Sequence, residues 1–203
     1  TLAMSSAASD VYKRQAMTAL RARVLSGNAP TAVQLKGPAI QEWYEEGVLA
    51  DISSVANAQG WADVLPASIA GHMKCEGNWC AAPVNVHRID WIWANAAVLA
   101  ENGISMPASW EEFNAAATKL KAVGITPLAH GGQAWQDATV FEAVALGVGG
   151  PEFFHKAFVE LDEDTLKSDT MKAVFDQMRT MRGFVDSNFS GRDWNLATAM
   201  VMN

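Results

Sequence analysis

Cysteine is scarce in this chain: there are two in 203 residues, Cys75 and Cys80. A CxxxxC pair with no second pair nearby is a poor zinc site. It leaves either a disulfide across a turn or two half-buried thiols. Basic side chains are also few. Fifteen Lys and Arg stand against 22 Asp and Glu, a net charge of -7 with pI near 5.0. A nucleic-acid or anionic-membrane partner needs a basic face, and no run of Lys/Arg exceeds two residues, so neither partner is expected. Long apolar runs are missing as well. The longest, Val140 to Val148, is broken by Glu142 and Gly147, far short of the roughly 20 residues that span a bilayer. No basic segment followed by an apolar core stands at the start, so no secretory signal is legible there.

Catalytic signatures are equally thin. No GxSxG, HExxH, P-loop or GxGxxG occurs, and Gly147-Val-Gly-Gly150 follows a helical run rather than a strand. The adjacent carboxylates Glu45-Glu46 and Glu111-Glu112 point about 100° apart on helices, so neither pair flanks a glycosidic bond. Cys80 and His87, seven residues apart, are separated by more than about 20 Å on a straight strand, too far for a thiol–imidazole pair. An enzyme of sugar metabolism on an α/β fold, such as a glycosidase, stays the alternative reading. No metal or organic cofactor is expected.

What is present reads as a packed globular protein, with 50% hydrophobic and 18% charged residues. Helical and strand patterns alternate. Met17, Leu20, Val24 and Leu25 mark a helix face that ends at Ser26-Gly27-Asn28. Thr31 to Leu35 reads as a short strand, and Pro38 opens a helix through Glu46. Cys75 and Cys80 flank a hairpin turn, with strands around 72–75 and 79–84. With Glu76-Gly77 as the central turn residues the cysteines lie diagonally, at the edge of bridging distance; a four-residue loop places them directly opposite. Residues 88–95 form an apolar, aromatic strand, and Ala96 to Glu101 a helix closed by Asn102-Gly103. Ser109-Trp-Glu-Glu112 is a capping box for a helix through Val123. Residues 125–129 are the next strand, followed by helices at about 135–148 and 151–158. Met171, Val174, Phe175, Met178 and Met181 form one helical stripe of core residues. Alternating elements of this kind predict an α/β protein with mainly parallel strands.

Four segments carry the chemistry. Gln34-Leu-Lys-Gly-Pro38 places Gln34 and Lys36 on one side of a strand end, where Gln offers a donor and an acceptor and Lys three donors. Pro83-Val-Asn-Val-His-Arg88 brings His87, able to donate to a hydroxyl or to anchor a hinge, and Arg88, which reads as the partner of a carboxylate. Thr126-Pro-Leu-Ala-His-Gly-Gly-Gln-Ala-Trp-Gln-Asp137 ends a strand in a Gly-rich turn bearing Gln133 and Trp135, with His130 structural. Asp193-Trp-Asn195 precedes the last helical pattern, and Trp194 offers an aromatic face or simply joins the core.

Together these segments resemble the glucose/mannose-type sugar-binding proteins of bacterial ABC importers, from about Ala16 to the last residue. The resemblance implies a periplasmic-binding-protein-like type II fold of two lobes, with a monosaccharide in the cleft between them. It implies no catalysis. Gln34 and Lys36 would bond the sugar, Trp194 would stack on it, and His87, Trp135 and Gln133 would complete the contacts. Residues 16–86 would be part of an N-terminal lobe, and 87–203 part of a C-terminal lobe, joined by a crossover strand at about 83–95. The expected partner beyond the sugar is a membrane permease, the location periplasmic and the receptor a monomer. Residues 1–15 resemble translated adaptor sequence and are expected to be non-native. The apolar pattern at 197–203 runs on without a helix stop, so the chain is expected to be an internal fragment.

Overall fold

In the computed structural model of the chain the structure describes residues 6–85 and 91–202, with side chains from residue 16 onward. Two compact units are present, one of Asp10–His87 and one whose body is Arg88–Asn203.

The first unit holds α1 (Ser6–Leu25) from Asp10 onward, followed by α2 (Ala39–Glu45), α3 (Ser53–Ala58), α4 (Trp61–Val64) and α5 (Ala67–His72). Pro38, with φ -57°, sits at the start of α2, where its missing N–H costs nothing because no helical bond is due there. Ile40 and Trp43 lie one turn apart and both are buried. Burying Ile40 removes apolar area worth about 1.5–3 kcal/mol. The Arg21 guanidinium covers the Trp43 ring at 5.0 Å.

The hairpin joins β1 (Lys74–Cys75) to β2 (Asn78–Trp79), antiparallel, with Lys74 opposite Trp79 and Cys75 opposite Asn78. Glu76 and Gly77 are the two loop residues, and both have positive φ, 49° and 87°. This backbone matches the twist of a tight hairpin. The strands are shorter than the sequence suggests, because His72 is the last residue of α5. Cys75 and Cys80 are bonded, with a Cα–Cα distance of 5.8 Å. The diagonal arrangement therefore bridges, since the strong twist of a two-stranded ribbon shortens one diagonal. The Cys80 N–H also donates to the Met73 carbonyl at 3.0 Å, extending the register by one pair. The disulfide packs with Ile40, and Leu35, Tyr44 and Leu49 close over it. Trp79 lies in a second cluster with Ala56 and Ala70, its ring edge-to-face with Trp61 at 5.5 Å.

The second unit holds α6 (Ala96–Glu101), α7 (Trp110–Ala122), α8 (Ala134–Phe158), α9 (Glu163–Leu166), α10 (Asp169–Arg182) and α11 (Trp194–Met202). Asn95 caps α6 by accepting from the N–H groups of Ala97 and Val98, both at 3.1 Å. At α7 the Glu112 N–H donates to Ser109 Oγ at 3.2 Å, while Glu112 Oε2 accepts from the Ala108 N–H at 2.8 Å. The capping box thus reaches back one residue further than the pattern implies. Helix α8 is two helices joined at Gly150, whose φ is 77°, with Pro151 opening the second part. Val144, Ala145, Ala157, Met171, Val174 and Met181 form the buried core, and Phe113, Phe141, Phe158 and Met178 pack against it. The stripe on α10 departs from expectation at Phe175, which is 53% exposed although its ring meets Phe141 at 5.5 Å.

The main departure concerns strands. Among the described residues the only strands are β1 and β2, with one isolated parallel bridge between Gly132 and Ser190. Residues 31–35, 91–95 and 125–129 form no ladder, and Thr31 and Pro127 stand at bends, so a mainly parallel sheet is not what these residues build. Extended backbone becomes strand only when a neighbour supplies ladder bonds. In the second unit 91–95 and 125–129 instead border an apolar groove of about 480 Å³, lined by Trp93, Val98, Phe113, Leu120 and Ile125 among others. No helix among the described residues is long and apolar enough to cross a membrane.

The disulfide supports the platform beneath Leu35. Replacing both cysteines by serine is expected to lower stability by about 2 kcal/mol on loop-closure grounds for so short a loop. Denaturant midpoints of the two proteins check this, and equal midpoints would refute a stabilising role.

Candidate functional site

In the second unit two loops converge, 130–133 before α8 and 186–193 before α11. The Gly132 N–H donates to the Arg192 carbonyl at 3.1 Å, and the Gly191 N–H to the Gly132 carbonyl at 3.3 Å. A Cβ on Gly132 would lie 2.2 Å from the Phe189 carbonyl oxygen, and one on Gly131 would overlap the Gln136 side chain. Only glycine permits that approach.

An ion pair fastens the second loop. Arg192 grips Asp186 with both guanidinium nitrogens, at 2.6 and 2.7 Å, and donates to the His130 carbonyl at 3.1 Å. Paired donors of this kind are geometrically specific. Both side chains are largely covered, at 12% and 22% exposure. The Arg192 hydrogen bonds hold the Asp186 carboxyl down at about 2, against desolvation that opposes the shift. His130 bonds Asp137 at 2.7 Å and stacks on Phe189 at 6.0 Å, which is structural work.

The rim of these loops carries three of the six residues singled out above. Gln133 Nε2 donates to Asp193 Oδ1 at 2.7 Å, and Gln133 Oε1 accepts from Trp135 Nε1 at 2.8 Å and from Gln136 Nε2 at 3.1 Å. Gln136 is buried and also donates to the Arg192 carbonyl at 3.3 Å. Trp135 and Trp194 are 45% and 51% exposed, and Trp194 opens α11 directly after Asp193. The structure thus joins Gln133 and Trp135 by a hydrogen bond and ties them through Asp193 to the residue before Trp194. Asp193 and Gln136 were not singled out from sequence as site residues. The adjacency of Asp193 to Trp194 was the available signal for the first, and the place of Gln136 in the same Gly-rich loop as Gln133 and Trp135 the signal for the second.

In the first unit Gln34 and Lys36 are exposed while Leu35 between them packs on the disulfide cluster. Val33, two residues before Leu35, is exposed as well, at 40%, so the strict alternation of a strand is not kept over 31–36. His87 lies outside the described residues. Among the described residues no group of three or more His, Cys, Asp or Glu could hold a metal ion.

Two half-exposed indoles and a hydrogen-bonded Gln133–Asp193 pair thus stand together on the rim of the second unit. The profile of the bacterial extracellular solute-binding protein family matches residues 5–203, and the chain belongs to that family. It is 54% identical over 188 residues to a probable sugar-binding periplasmic protein of Brucella melitensis, covering 93% of this chain and 44% of that protein. A probable sugar-binding periplasmic protein of Rhizobium meliloti is 53% identical, with 93% and 45% covered. The chain thus spans less than half the length of these curated relatives, which are solute-binding proteins and not enzymes.

Among solved structures, one from work on xylan utilisation by Caldanaerobius polysaccharolyticus is similar, with a TM-score of 0.72 at 20% identity. That match covers 94% of this chain and 48% of the other. A chitin oligosaccharide binding protein gives 0.71 at 18%, covering 90% and 46%. These likenesses show that the fold is shared with those two proteins.

The Asp186–Arg192 clamp has a signature in acid. Its carboxyl falls from the ordinary 3.8 to about 2 in the folded chain, so the pair stabilises above pH 4 and that stability is lost as pH falls through 2. Asp186→Asn is expected to flatten this part of the acid unfolding profile between pH 4 and 2. Denaturant titrations at several acid pH values check it, and an unchanged slope would overturn it.

Proposed function

We propose that this chain is part of the substrate-binding component of an ABC sugar importer, taking a monosaccharide of the glucose or mannose kind and delivering it to a membrane permease in the periplasm. The observation that carries this reading is the rim of the second unit, where two half-exposed tryptophans accompany a hydrogen-bonded Gln133–Asp193 pair. Sugars ask for that combination. A pyranose has an apolar C–H face that an indole covers and hydroxyls that need paired donors and acceptors. The relatives' description as probable sugar-binding periplasmic proteins favours the same ligand class.

Trp194 is the stacking residue in this reading, and Trp135 and Gln133 contribute from the neighbouring loop. Gln34, Lys36 and His87 supply further hydrogen bonds to the sugar in this reading, as the resemblance implies. A bound sugar favours the closed conformation of the receptor by its differential affinity for that state. The receptor works as a monomer, and transport follows when the permease reads the closed state.

Trp194→Ala is expected to weaken glucose or mannose binding at least about fivefold, from the apolar area lost at about 25 cal/mol per Å². Trp194→Phe should recover part of the loss. Calorimetric titration at equal folded fraction checks both. Unchanged affinity with a lowered melting temperature would make Trp194 a packing residue and end the stacking role.

A further inference from the structure

One carboxylate at the rim is placed oddly for its position. Asp193 stands immediately before α11, where an aspartate ordinarily caps the helix by accepting from the second or third backbone N–H. Here the N–H groups of Leu196 and Ala197 donate to the Asp193 backbone carbonyl, at 3.1 and 3.2 Å. The carboxylate turns instead to Gln133 Nε2 at 2.7 Å, a contact across 60 positions of sequence. Among the described residues this is the hydrogen bond that the Asp193 carboxylate accepts, and no described cation pairs with it.

An ionised carboxylate has about four lone-pair sites on two oxygens, and Gln133 occupies one. Gln133 is itself held: its Oε1 accepts from both Trp135 and Gln136, and Gln136 is buried and fixed to the Arg192 carbonyl. Asp193 is partly buried, next to the half-exposed Trp194, and linked through Gln133 to the half-exposed Trp135. A carboxylate fixed at one oxygen, uncompensated by a described cation and neighboured by aromatic faces is suited to a neutral polyol. Hydroxyl donors give short, charge-assisted bonds to it, and the ligand brings no charge of its own. An anionic ligand would be repelled.

We infer that Asp193 is a specificity-determining residue that accepts hydrogen bonds from hydroxyls of the bound sugar, and that Gln133 acts as its positioning residue. This rests on the sugar-binding reading and adds the acceptor which that reading lacked. The oxygen not bonded to Gln133 takes the hydroxyl, while the Gln133 bond fixes the plane of the carboxylate.

The test is calorimetric titration of the full chain and of Asp193→Asn with glucose, mannose and a set of monodeoxyglucoses. Asparagine keeps the shape and still accepts from Gln133, so folding should survive. Asp193→Ser, also suited to the position before a helix, serves as a second variant. A hydrogen bond to a charged group predicts a loss of about tenfold or more for the parent sugar. One deoxy sugar, lacking the hydroxyl that Asp193 takes, should bind the wild type and Asp193→Asn equally. Gln133→Ala should weaken the parent sugar and leave that same deoxy sugar unaffected by the further change Asp193→Asn.

Asp193→Asn binding every sugar as the wild type does would overturn the inference and leave the sugar-binding reading intact. So would a loss of the same factor against every deoxy sugar, the mark of a structural role. Failure of both variants to fold would make Asp193 a structural residue and equally overturn it. A wild-type chain that binds none of the sugars would defeat the sugar-binding reading itself, and this inference with it.

Discussion

Backbone touching backbone at Gly132 and Gly191 is what the candidate site rests on. A parallel bridge between Gly132 and Ser190 brings together two loops far apart in sequence, and there is no room for a Cβ at residue 132. Once these loops are bonded, the ends of α8 and α11 have fixed neighbours, and Gln133 comes within reach of Asp193. The Asp186–Arg192 pair adds to this by tightening the turn that feeds the bridge. It is partly covered and doubly bonded, so it belongs with the geometric locks rather than with exposed pairs such as Arg21–Glu46, which contribute little.

The first unit solves a smaller version of the same problem with covalent chemistry. Its helices are short, and its hairpin has only two residues per strand, which is marginal on its own. The Cys75–Cys80 bond and the cover of Ile40, Leu35 and Tyr44 hold the hairpin in register. Leu35 packs against that cluster, while Gln34 and Lys36 on either side of it are exposed.

Sequence reading succeeded where the determinants are local. The helices at 96–101, 110–122 and 169–182 follow from caps and periodicity, and Ser109, Asn95 and Ser168 each cap as their types suggest. Strands fared worse, since 31–35 and 125–129 were legible as apolar runs while their pairing was not. Pairing is decided by a second segment, and among the described residues a single backbone bond, from the Leu128 N–H to the Phe184 carbonyl at 3.2 Å, makes no ladder. The disulfide stayed open from sequence because the two loop lengths differ by residues that carry no strong signal, and ribbon twist decided it. The Gln133–Asp193 contact is the extreme case: each residue has a plausible local job, one in a loop and one as a cap, and only the meeting of two loops gives them a joint one.

That joint arrangement also bears on how a weak, neutral ligand can be held at all. Sugar hydroxyls bond well to water, so a receptor gains only if its own polar groups need little rearrangement on binding. Gln133 already spends its carbonyl oxygen on Trp135 and Gln136, and its amide already fixes Asp193. The indole of Trp135 is tied at its only polar atom, so its ring cannot reorient without breaking a hydrogen bond. Ordering that would otherwise be lost from the binding free energy is thus carried by folding, through Gly132 and Arg192. It follows that disturbing the bridge should harm binding more than the exposure of the loops suggests, because the polar rim and the aromatic faces share one support.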